Sequence, residues 1–223
     1  MISVLYLDTE VFQDKEIFDK CFNLISKDRK EKIRKLKNSI PARLSLGAGV
    51  LLRIALENND LLSELDHIQY GDHGKPYLKK DSFYFSLSHS GKYAVCAYGT
   101  TPLGIDLQKT DGKIKHINRI LSEKEKDFLS PLNAFQRTEF FFRLWVRKES
   151  LIKWDGRGLR LPLDTLSFVD DHTISDSILF EEKDLHFIEV KSLLPEYALC
   201  ICSEEKEASI VMNKIDANFL TKY

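Results

Sequence analysis

WVRKESLIK, from Trp145 to Lys153, and PLGIDLQK, from Pro102 to Lys109, decide how this chain reads. The first reads as helix and sets Glu149 and Lys153 one turn apart, on the face that also carries Trp145. The second reads as a short apolar strand. Strand side chains alternate with a period of two, so it presents Asp106 and Gln108 on one side. A carboxylate on a strand, facing a carboxylate and an ammonium on a helix, suits a hard metal ion and a chain of phosphates.

Working outward, the opening VLYLD alternates like a strand, and a helical stretch follows from about Asp14 to Leu36. After a break around Asn38–Pro41, an apolar helix runs from roughly Ala42 to Asn58. The turn-rich loop from Gly71 to Pro76 then leads to three strand-like runs, FYFSLSHS, YAVCAYG and LGIDLQ. Ser122 with Glu125 three residues on is a capping-box pattern, and a longer helix runs from about Ala134 to Trp154, closed by Asp155-Gly156. The last third reads as short strands: LSFVD, DLHFIEV, YALCICS and ASIVMN. Tyr93-Ala94-Val95-Cys96 recurs as Tyr197-Ala198-Leu199-Cys200, at nearly half the chain length. The pattern predicts an α+β protein of two similar halves, residues 1–103 and 104–223, with the site at their junction.

Composition narrows the function. The chain has 223 residues, 43% hydrophobic and 30% charged, which reads as an ordinary globular protein. With 33 basic against 34 acidic residues it has no global basic field, so nucleic acid is not the expected partner. No stretch reaches the ~18 consecutive apolar residues that span a bilayer, and MISVLYLDTEVF has no signal-peptide pattern. Cys21, Cys96, Cys200 and Cys202 lack zinc-ligand spacing and sit in apolar, strand-like surroundings, so buried reduced thiols and a cytoplasmic location are expected.

The candidate site follows from ligand chemistry. Magnesium takes one or two protein carboxylates and completes its shell with water and substrate phosphate, which Asp106 and Glu149 satisfy. Manganese shares that preference for oxygen. Gln108 offers a neutral carbonyl oxygen. Lys153 can pair with Glu149 or reach a phosphate beside the metal, whereas Lys148 points elsewhere as a solvated or structural charge. In HGKPYL, Gly74 lets backbone approach a ligand, Pro76 stiffens the turn and Lys75 supplies a point charge. His89, between Ser88 and Ser90, reads equally as a structural histidine or a phosphate contact. The run KDRKEKIRKLK, Lys27 to Lys37, is by default a solvated helix face, but its cations, with Arg43 beyond, also suit phosphate.

GKPYL, FSLSHSG, PLGIDLQK and WVRKESLIK, in that order and spacing, resemble the 4′-phosphopantetheinyl transferases of the surfactin-synthetase-activating type, over roughly residues 27 to 165. The resemblance implies a monomer of two α+β halves in a pseudo-twofold arrangement, with coenzyme A between them and magnesium required. It implies transfer of the 4′-phosphopantetheine arm to a serine of an acyl or peptidyl carrier protein, with adenosine 3′,5′-bisphosphate released. By position, Asp106 and Glu149 would ligate the metal and Lys153 would steady the pyrophosphate. Lys75, Pro76, Ser88 and His89 would line the nucleotide, and Arg29, Lys32 and Arg43 would fall near the 3′-phosphate. Gln108 departs from the family's frequent second acid, leaving two carboxylates where three are common. Glu149 is the first candidate for the base that takes the serine proton, and Glu125 the second. A coenzyme A binding module without transfer, and a nucleic-acid or acidic-partner protein using the basic helix, are the competing readings.

Overall fold

The structure is a computed structural model that describes residues 1–36, 39–111, 120–170, 173–190 and 196–222, so Lys37 and Asn38, the end of the basic run and the start of the expected break, lie outside it. In chain order come β1 (Ile2–Asp8), α1 (Lys15–Leu24), α2 (Lys27–Lys35), α3 (Ile40–Glu57), β2 (Gln69–Tyr70), β3 (Pro76–Tyr77), β4 (Tyr84–Ser90), β5 (Tyr93–Gly99) and β6 (Leu103–Lys109). They are followed by α4 (Glu123–Leu129), α5 (Ala134–Asp155), β7 (Val169–Asp170), β8 (Thr173–Ile174), β9 (Ser177–Phe180), β10 (Lys183–Glu189), β11 (Tyr197–Ser203), β12 (Ile210–Ile215) and α6 (Ala217–Leu220). These elements pack as two compact units: Met1–Gly71 with Pro76–Thr100 and Ala208–Tyr223, and Asp72–Lys75 with Thr101–Glu207.

In the first unit the sheet order is β12-β1-β5-β4, antiparallel except for the parallel β1–β12 pair. Helix α3 is almost wholly buried and lays Leu46, Val50 and Leu51 in one core with Leu5, Leu7, Ala94 and Cys96 of the sheet. The expected helix from Asp14 to Leu36 is two helices. Ile25 turns extended (φ −90, ψ 167) and is buried in the core, and extended Ser26 begins α2. Burying that side chain stabilises by ~1.5–3 kcal/mol, more than one lost helical rung costs.

In the second unit the sheet order is β6-β11-β10-β9, antiparallel throughout. Helix α5 packs with Leu144 and Leu151 in a core that includes Cys200 and Cys202 of β11. Its ends are fixed by chemistry the sequence announces. Asn133 and Gln136 form a capping box at its start, and left-handed Gly156 (φ 91) closes it. The expected strand LSFVD shortens to Val169–Asp170, because the Phe168 amide is committed to the Glu125 carboxylate and its ring is buried.

Each unit repeats one order: a strand, a long helix, then a hairpin whose second strand pairs beside the first (β1, α3, β4–β5; β6, α5, β10–β11). The sequence echo marks that second strand in both, β5 and β11. The expected division at residue 103 differs from the packing in two main respects: the Asp72–Lys75 loop belongs to the second unit, and the C-terminal strand belongs to the first. The last strand, β12, returns to pair with β1, which puts residues 208–223 in the first unit.

Candidate active site

The PLGIDLQK strand and the WVRKESLIK helix meet in the second unit. Asp106, 2% exposed on β6, accepts a hydrogen bond at Oδ1 from Lys153 Nζ of α5 at 2.6 Å. Glu149, one turn earlier on α5 and half-buried, lies close enough to feel both charges. Burial pushes its carboxyl up to about 7; the Asp106 charge pushes the same way and the Lys153 ammonium opposes. Two carboxylates and one ammonium thus share a partly desolvated patch.

Gly104 sets the spacing. A Cβ built there would lie 2.0 Å from Ser150 O, 2.4 Å from Trp154 N and 3.0 Å from Lys153 C. Ser150 O and Trp154 N are the two ends of one i to i+4 helical rung, so β6 lies against the bare backbone of α5. Strand alternation then aims Asp106, two residues on, at the same helix. The glycine of the Gly104-Ile105-Asp106 run is a contact requirement, which its place inside a strand could have signalled.

Lys75 is placed by the same helix. Its Nζ donates to Trp154 O at 2.7 Å, a cation on the last turn of α5, where the helix dipole favours one. Burial brings its pKa down to about 8. In this conformation the ammonium is engaged by the helix end, and a phosphate contact requires it to turn away.

Lys148 and Glu125 form a buried pair away from Asp106. Both are 0% exposed, with Lys148 Nζ 2.8 Å from Glu125 Oε2. Lys148 also donates to Leu163 O (2.7 Å) and Leu166 O (2.6 Å), which uses all three of its donors. Glu125 accepts from Ser122 N at 2.8 Å and Phe168 N at 3.0 Å. Both of its oxygens are therefore spent inside the protein, and Glu125 is not available as the second candidate base. Arg147, also fully buried, binds the carboxylates of Glu189 and Asp176. Sequence reasoning missed Arg147 and left Lys148 open, because a charged pair of neighbours on a helix normally marks a solvated face.

The remaining candidates belong to the first unit. Arg29, half-buried on α2, loses basicity through burial, and Lys32 one turn on loses it through burial and then through Arg29's like charge. The two cations therefore repel each other on α2. Gly49 of α3 lets α2 settle close, since a Cβ would stand 3.2 Å from Arg29 Cγ. Arg43 lies half-buried in the first turn of α3 and Pro76 begins β3. Ser88 and His89 are consecutive on β4, so their side chains leave on opposite faces: Ser88 is buried and His89 exposed. They do not present one joint surface to a phosphate.

The metal that the resemblance implies would meet a small donor set. Among the described residues no group of three or more His, Cys, Asp or Glu side chains is arranged to hold a metal ion. Gln108, on the Asp106 face of β6, supplies an amide where a third acid would stand. Two hard carboxylates under mutual repulsion still match magnesium, which takes the rest of its oxygens from water and phosphate. The residues fit.

Comparison with known proteins gives the family. The family model described as the 4′-phosphopantetheinyl transferase superfamily matches residues 102–202, from the start of β6 to β11. A 4′-phosphopantetheinyl transferase of Bacillus subtilis is 33% identical over 89% of this chain and 90% of its own length. 4′-Phosphopantetheinyl transferase Sfp of Bacillus subtilis (strain 168) is 30% identical over the same shares, 89% and 90%. 4′-Phosphopantetheinyl transferase gsp of Aneurinibacillus migulanus is 26% identical over 91% of this chain and 86% of its own. These matches define a transferase class, and this chain belongs to the 4′-phosphopantetheinyl transferase superfamily.

Proposed function

We propose that this protein transfers the 4′-phosphopantetheine arm of coenzyme A to a serine hydroxyl of an acyl or peptidyl carrier protein, releasing adenosine 3′,5′-bisphosphate and requiring magnesium. The observation that carries the reading is the Asp106–Lys153 pair with Glu149 beside it, in the segment that the family model covers. In the reaction the serine oxygen bonds to the β-phosphorus of coenzyme A. The bond from that phosphorus to the bridging oxygen breaks, and the bisphosphate leaves with the electron pair. Magnesium, held by Asp106 and Glu149 with Gln108 through a carbonyl or a water, would supply charge neutralisation for the pyrophosphate. Lys153 turns from Asp106 toward the phosphates and steadies the charge on the leaving group.

Glu149 is the proton acceptor in this reading. It is the carboxylate set beside Asp106 and Lys153, whereas the second candidate, Glu125, has both oxygens engaged. Arg29, Lys32 and Arg43 would hold the 3′-phosphate, and Lys75, Pro76 and His89 the nucleotide, with Lys75 released from Trp154 and Ser88 left to the buried face of β4. The expectations of a monomer and of a cytoplasmic location belong to the same proposal.

The test is to incubate the protein with coenzyme A, magnesium and an apo acyl carrier protein, then weigh the carrier by intact-mass spectrometry. The expected result is a gain of one phosphopantetheine, lost with EDTA and restored by added magnesium. A gain that persists in EDTA would sink the metal requirement. No gain with several carriers, despite measured coenzyme A binding, would sink the transfer itself.

A further inference from the structure

The Glu125–Lys148 pair has no place in the chemistry above, yet it lies at residue 148, immediately before Glu149. We propose that Glu125 and Lys148 are positioning residues, a buried clamp that fixes the rotation of α5 so that Glu149 faces Asp106. This rests on the reading of Asp106 and Glu149 as the magnesium site.

The geometry points to positioning because α5 is held from two sides. At ~100° per residue, Lys148 leaves the helix roughly opposite the strip formed by residues 150, 153 and 154. That strip is the one against which Gly104 packs, backbone to backbone. On the far side, Lys148 Nζ is fixed by three acceptors on two separate segments, Glu125 Oε2, Leu163 O and Leu166 O. Glu125 is in turn fixed by the capping box of α4 and by the Phe168 amide. Glu149 projects between these two constraints. Its carboxylate stands ~6 Å from the helix axis, so a rotation of ~10° carries it ~1 Å. A displacement of ~1 Å at a reacting group can cost ~100-fold in rate.

An apolar side chain at 148 would fill the space but impose no direction. A charged pair with every hydrogen bond made has one low-energy arrangement, and an uncompensated alternative is expensive in a dry interior. The clamp therefore supplies registry rather than chemistry. The same facts account for an acid at 125 without making it a base.

The test uses the full chain and two variants. Glu125→Asp keeps the charge and shortens the arm by one methylene. E125Q/K148M removes both charges and keeps an acceptor at 125. Thermal midpoints are recorded, and measurements follow at a temperature well below them. The readouts are the Mn2+ dissociation constant in the presence of coenzyme A, from the electron paramagnetic resonance of free Mn2+, and kcat for transfer to a carrier protein. The expected result is folded protein with Mn2+ affinity weakened at least tenfold and kcat lowered at least tenfold per folded molecule. A folded variant with wild-type Mn2+ affinity and kcat overturns the proposal. Failure of both variants to fold also overturns it, leaving the pair a role in stability alone. If the wild type binds no Mn2+ with coenzyme A present, the magnesium reading falls, and the kcat comparison still decides the clamp.

Discussion

Replacing Gly104 with alanine adds one methyl group at the point where β6 touches α5, and nothing nearby can swing aside. The new Cβ would lie 2.0 Å from Ser150 O and 2.4 Å from Trp154 N, whereas ordinary contact begins at 3.4 Å. Both atoms belong to the helix backbone, so strand and helix must separate by about 1.4 Å along the first of these lines (3.4 minus 2.0). Overpacking of this kind costs ~1–3 kcal/mol, which lowers the thermal midpoint of a chain this size by ~2–12 °C. The functional effect is larger. Asp106 rides on the displaced strand and Lys153 on the helix, so the 2.6 Å contact between them opens by a comparable distance. A loss of ~100-fold in kcat is expected, on the scale of a 1 Å error in placement. The assays are differential scanning calorimetry for the fold and intact-mass measurement of carrier modification for the rate. A Gly104→Ala protein that melts and turns over like the wild type would refute the claim that backbone contact at Gly104 sets the site.

Three further outcomes are expected. The folded state raises the Glu149 pKa from 4.5 to about 7, so its contribution to stability is fully present below pH 4.5 and is lost as pH rises through 7. In metal-free urea titrations the stability of the wild type relative to Glu149→Gln should therefore fall by at most ~3 kcal/mol across that range, and a pH-independent difference would count against the desolvated placement of Glu149. By the same linkage Mn2+ affinity should weaken about tenfold for each pH unit below 7, because the metal must displace a proton. Arg147→Met should cost ~3–5 kcal/mol in denaturant titrations, since the largely buried Glu189 loses a cation; a cost under 1 kcal/mol would mean that Arg143 suffices for it. Arg29→Ala should raise the KM for coenzyme A at least tenfold while leaving that for 3′-dephospho-coenzyme A within threefold; equal effects on both would remove Arg29 from the 3′-phosphate.

Much of the site was legible because its parts are local patterns. The rung from Glu149 to Lys153, the capping box at Ser122 and the stop at Gly156 each depend on residues within a turn of one another, and all form as read. YALCICS is a strand with the bounds the alternation gives. Where the reading departs from the structure, a distant partner decides. Ile25 breaks the expected helix because a core formed by α3 and the sheet takes its side chain. LSFVD loses most of its strand because Glu125, 43 residues away, takes the Phe168 amide.

What the sequence determined by itself was the family and the residue types of the site: a strand carboxylate, and a helix carboxylate and ammonium one turn apart. Those are set by periodicities of two and 3.6 residues, and periodicity is written into the order of residues. Tertiary structure alone decided the state of each charge. The same run, Arg147-Lys148-Glu149, yields one arginine bound to Glu189 and Asp176, one lysine sealed against Glu125, and one carboxyl lifted toward neutrality beside Asp106. A charge is governed by its dielectric surroundings and nearest partners in space, and for these three residues the partners come from up to 43 positions away (149 minus 106).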